Sequence, residues 1–172
     1  MKTDNPPEYW LRGPVPGVPD LLQPVAHALL QAQEEMHDMM SNVADRQLWE
    51  RPAGVASAGF HLRHLAGVLD RLFTYARGEA LSQRQLAYLA EEGNPQEDIT
   101  VAFLLDVLDA QLAKSLDQLR ATDPQTLTQT RTVGRLQLPS TVMGLLFHAA
   151  EHTMRHTGQL LVTVRVLLGG KA

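Results

Sequence analysis

Leucine recurs at positions 104, 105, 108, 112, 116 and 119, and this spacing constrains the fold more than any other feature of the chain. It follows the 3.6-residue period that lays apolar side chains along one helical face. It predicts a helix over about Thr100–Leu119. Similar stripes occur elsewhere. Leu22, Val25, Ala26, Leu29, Leu30 and Met36 predict a helix from about Leu21 to Asn42, capped by Asp20, with Pro24 tolerated in its first turn. Phe60, His64, Leu65, Val68, Leu69 and Leu72 predict another over about Ser57–Arg77, ending at Gly78. The last and longest is expected over Ser140–Leu168, stopped by Gly169–Gly170. At 1.5 Å per residue it would be roughly 40 Å long.

Between these lie weaker signals. A short helix is expected near Ser82–Leu89, followed by a polar loop over Glu91–Asp98. Thr126–Leu138 is rich in Thr, has Gly134 in its middle and is followed by Pro139. It reads as a small irregular hairpin or an extended crossover. Residues 1–19 carry Pro6, Pro7, Pro14, Pro16 and Pro19 and read as an extended, partly mobile arm. The expectation is an all-α fold: a four-helix bundle over residues 20–172, with a long irregular crossover before the last helix.

Composition agrees and removes several function classes. At 172 residues the chain suits one domain and can bury roughly 70% of its unfolded surface. Aromatics are 5%, so the core must be mostly Leu, Val and Ala, which suits helices. There is no cysteine, which excludes disulfides, thiolate metal sites and a cysteine nucleophile. A net charge of −4 argues against a nucleic-acid partner. No apolar run approaches the roughly 20 residues that cross a bilayer, and Met1–Pro19 does not look like a secretory signal. These readings predict no membrane partner and a cytoplasmic location.

Five of the seven histidines form two groups. His148, His152 and His156 are spaced i, i+4, i+8 on the last helix. Each step turns only about 40° around the axis, so all three share a face with Leu145, Ala149 and Leu160. Imidazoles on an inward face are costly unless partnered, and imidazole is a good ligand for Zn, Ni, Cu and Fe. The outer two stand roughly 12 Å apart along the axis, so one ion could take His148/His152 or His152/His156. A third ligand must come from another helix. His61 and His64 lie three apart on the second helix, and His64 shares the stripe of Phe60 and Val68. Three histidines would leave an open position, as catalytic zinc sites do.

The segments Gly59-Phe-His-Leu-Arg-His64-Leu-Ala-Gly and His148-Ala-Ala-Glu-His152-Thr-Met-Arg-His156-Thr-Gly-Gln159-Leu resemble the DinB superfamily, over most of the chain from Leu21 to Leu168. The resemblance implies an up-down-down-up bundle holding a divalent metal, often zinc or nickel, on three histidines. Carried over by motif, the ligands fall on His64, His152 and His156. Thr157 stands where such proteins often have Arg. The resemblance also implies a homodimer. Its activity would be transfer of a low-molecular-weight thiol, such as bacillithiol or mycothiol, to an electrophilic substrate. The alternative is a non-catalytic metal- or ligand-binding stress-response bundle.

Around that set, His61, His148, Asp70 and Arg155 are expected to support the ligands or line the pocket. Arg63, Arg71 and Arg155 could bind a substrate carboxylate, although solvation at the surface is the commoner role for each. Glu151 lies about 100° from His152 and reads as a surface carboxylate. Trp10 and Trp49 read as packing residues. Glu34-x-x-His37 has no second copy, so a di-iron site is not supported. There is no H-E-x-x-H and no nucleotide-binding glycine motif.

Overall fold

The computed structural model describes residues 6–96 and 98–169. Gly170, one of the expected stop residues of the last helix, lies outside that range. Five helices and one hairpin follow in order: α1 (Gln23–Met40), α2 (Ala58–Ala76), α3 (Gln83–Glu91), α4 (Val101–Ala121), β1 (Thr130–Val133), β2 (Leu138–Thr141) and α5 (Val142–Leu167). The long helices α1 and α2 each pack against both α4 and α5. Their stripes meet in one core containing Leu29, Met36, Leu62, Leu65, Leu69, Phe73, Leu108, Leu112, Leu119, Leu146 and Leu160, all at most 1% exposed.

Local chemistry sets the helix starts. The side chains of Ser57, Thr100 and Thr141 each accept a hydrogen bond from the backbone N–H three residues on, capping α2, α4 and α5. Ser82 and Gln85 form a reciprocal capping box at α3. The start of α1 differs from expectation. A 3-10 turn, Asp20–Leu22, precedes it, so Leu22 rather than Asp20 holds the cap position and no side chain caps it. Gly78 and Gly169 follow α2 and α5 at φ 80° and 66°, where only glycine sits without cost.

The Thr-rich segment is the hairpin. Thr130 pairs with Thr141 and Val133 with Leu138, antiparallel. Pro139 is tolerated because a two-stranded sheet is all edge. Strand β2 runs directly into α5, so the hairpin leads the chain onto the last helix.

The described part of the arm docks on α1. The Gln23 amide accepts from Val15 N at 2.7 Å and donates to Val15 O and Val18 O at 3.0 and 2.8 Å. Trp49 packs against Gly59 and donates its indole N–H to Gln96 O at 3.0 Å. Trp10 does not pack as expected: it is 63% exposed and donates its indole N–H to Glu8. His37 pairs with Asp109 at 2.9 Å. No helix among the described residues is long and apolar enough to cross a membrane.

Candidate metal centre

The packing of α2 against α5 brings the two histidine groups together. His64, His152 and His156 each offer one ligand atom, and these atoms all lie within 4.8 Å of one another. The Nε2 atoms of His64 and His152 are 3.0 Å apart. The His156 ring centre is 4.6 Å from that of His64 and 4.5 Å from that of His152. Phe60 stacks on His64 at 5.2 Å, nearly parallel, and covers one face of that ring.

Of the two pairs that helical spacing leaves open, the structure gathers His152 and His156 around His64. His148 stands beside the group. Its ring centre is 5.4 Å from that of His152, while its Nδ1 is 2.6 Å from the exposed face's Glu151 carboxylate. His61 is only 2% exposed and lies behind His156, with the two Nδ1 atoms 3.0 Å apart. Arg155 ion-pairs with Glu151 at 2.6 Å and joins His61, Val55, Ala56, Gln159 and Val162 around a groove of about 510 Å³. Asp70 lines a different cavity, with Arg84, Tyr88 and Lys114.

Sequence reasoning missed Glu92. It follows α3 directly, is 4% exposed, and both its oxygens are engaged. Oε2 is 2.9 Å from His64 Nδ1, and Oε1 pairs with Arg71. Arg71 and Arg63 are accordingly buried, where solvated surface roles were expected. Arg63 donates to Asn94 O at 2.8 Å. The chain around Glu92 lies in the stretch read as polar loop, and nothing in its local pattern marks it.

The electrostatics favour neutral ligands. Burial, with the nearby His64 adding to it, pushes His61, His152 and His156 down to about 4. Each of these rings is therefore neutral at neutral pH and carries one lone-pair nitrogen, as a ligand must. A carboxylate only accepts hydrogen bonds, so His64 donates from Nδ1 to Glu92, and its Nε2 faces His152. A carboxylate behind a histidine in this way is the usual support of a metal ligand.

The donor set fits a divalent ion. Metal–nitrogen bonds of about 2.0–2.1 Å put two tetrahedral ligands roughly 3.3 Å apart, a few tenths of an ångström from the His64–His152 separation. His152 Nδ1, the ring's other nitrogen, is buried with no hydrogen-bond partner among the described residues, and an ion held on Nε2 would leave it so.

The family model for the DinB superfamily matches residues 28–160. The chain belongs to the DinB superfamily. No curated protein matches it by sequence. A crystal structure of a conserved protein from Enterococcus faecalis has the same fold, with a TM-score of 0.70 at 19% identity, over 87% of this chain and 98% of that one. At that identity the likeness concerns fold alone. This DinB-superfamily chain thus carries, at the junction of α2 and α5, a histidine cluster able to hold a metal ion.

Proposed function

We propose that this DinB-superfamily protein holds one divalent ion, zinc or nickel, on His64, His152 and His156, and transfers a low-molecular-weight thiol to an electrophile. The observation that supports this reading is the convergence of three imidazoles from two helices within 4.8 Å. An ion bound there would supply Lewis acidity that lowers the pKa of a thiol; the thiol proton would pass to water, and the sulfur would bond to the electrophilic carbon as that carbon's bond to its leaving group breaks.

The chain's own residues do the rest. Three nitrogen donors are fewer than the four of a closed structural zinc site, which leaves room for an exogenous ligand. Glu92 orients His64, and His61 braces His156 from behind. The protein has no cysteine, so the sulfur nucleophile must arrive with a cosubstrate. The groove beside His61 offers apolar walls at Val55 and Val162 and a cation at Arg155, suited to a substrate that carries a carboxylate. An up-down-down-up order of the four long helices, a homodimeric state and a cytoplasmic location complete the proposal.

Its test is a screen of zinc- and nickel-reconstituted protein against low-molecular-weight thiols and an alkylating electrophile. The expected result is thiol consumption above the uncatalysed rate, lost in His152→Ala. Equal turnover by metal-loaded and metal-free protein would contradict the mechanism. Tight metal with no turnover for any thiol would favour the non-catalytic alternative.

A further inference from the structure

We infer that Glu92 is a positioning residue that sets the tautomer of His64 and ties the metal centre to the docking of α3. The affinity half of this role rests on the metal reading above; the tautomer of His64 does not.

A buried carboxylate is tolerated only when its charge is neutralised and its oxygens are bonded. Arg71 supplies the countercharge on Oε1, from one side of α2. Oε2 is thereby left for His64, one of the three gathered histidines. The pair occupies space left open by Gly67, which lies on α2 between His64 and Arg71. A Cβ there would meet Glu92 Oε1, and would lie 2.7 Å from Arg71 Nη1 and 2.8 Å from Tyr88 Cε1. Three α2 positions, 64, 67 and 71, thus form a seat for one carboxylate.

That carboxylate comes from a weakly held element. Helix α3 buries none of its own residues. It and the turn that follows it are tied to α2 by polar contacts: Gln85 to Thr74 Oγ1 at 2.8 Å, Tyr88 OH to Arg63 O at 3.1 Å, and Arg63 to Asn94 O at 2.8 Å. Glu92 follows at its end. When α3 is docked, the His64 Nδ1–H is fixed and Nε2 faces the site. When α3 undocks, His64 loses the acceptor that fixes it. By linkage, an ion that prefers the oriented ring also favours docked α3.

The test has two parts. In metal-free wild-type protein, 15N imidazole spectra should show His64 in the Nδ1–H tautomer, and Glu92→Gln should shift it. A wild-type His64 carrying its proton on Nε2 would overturn the inference whether or not the protein binds metal. Chelator competition with Zn(II) alone then reads affinity. Glu92→Gln should weaken zinc about 10- to 100-fold. Glu91→Gln, at an exposed neighbour that accepts from the Asn94 amide, should stay within about twofold. Zinc affinity in Glu92→Gln within twofold of a tightly binding wild type would overturn the inference. If neither wild type nor Glu91→Gln binds zinc, the metal reading fails and the tautomer result still decides this one. A purely structural ion pair with Arg71 would change stability and leave the His64 tautomer alone.

Discussion

Substituting Gly67 by Ala sets two effects of opposite sign against each other. In a helix interior, Ala is favoured over Gly by about 1 kcal/mol. An ordinary helical position would therefore gain stability. At Gly67 the added methyl occupies the space of the Glu92 carboxylate and crowds the Arg71 guanidinium and the Tyr88 ring. The carboxylate and guanidinium side chains are 5% and 10% exposed, so solvent screens them little. Separating a buried pair costs about 3–5 kcal/mol. The net expectation is a loss of about 2–4 kcal/mol. Urea unfolding of the metal-free protein, followed by far-UV circular dichroism, measures it. With a slope near 2 kcal/mol/M, the midpoint should fall by about 1–2 M. In an Arg71→Met/Glu92→Leu background, where no charged pair is displaced, the same change should cost much less. A Gly67→Ala protein as stable as wild type would refute the reasoning, because the ion pair would then not need the space that glycine leaves.

Two further outcomes follow from the core and the histidines. Leu112→Ala, at a site only 1% exposed on α4, should lower stability by about 2–5 kcal/mol in urea unfolding, and a change below 1 kcal/mol would show that the stripe is not a packed core. His61, His152 and His156 have folded-state values near 4, below the unfolded 6.5, so the unfolded chain binds more protons between those limits. Their contribution to metal-free stability is full above pH 6.5 and is lost as pH falls toward 4. The urea midpoint should therefore fall between pH 7.5 and pH 5 in wild type, and fall less when all three are replaced by Gln. Equal falls in both proteins would contradict this.

The helices were legible because their apolar residues repeat at the helical period, whereas the caps at Ser57, Ser82, Thr100 and Thr141 emerged with the structure. The i, i+4 spacing put His152 and His156 on one face but could not choose between the two possible pairs. That choice depends on how α5 sits against α2, which is a tertiary matter. Glu92 was illegible for the same reason. Its neighbours are polar, and its burial comes from Arg71, 21 residues away in sequence. Arg63 and Arg71 resemble ordinary surface cations in sequence, and are buried because Asn94 O and Glu92 accept from them. Asp70 is close to His64 in sequence, yet the helix turns it toward the cavity of Arg84 and Lys114.

The central claim is tested most directly by metal content per chain, by elemental analysis of tag-free protein after zinc or nickel reconstitution, with wild type beside His152→Ala. The account predicts about one divalent ion per wild-type chain and almost none in a variant that remains folded. Wild-type protein that takes up no metal, or a variant that keeps it, would contradict the account.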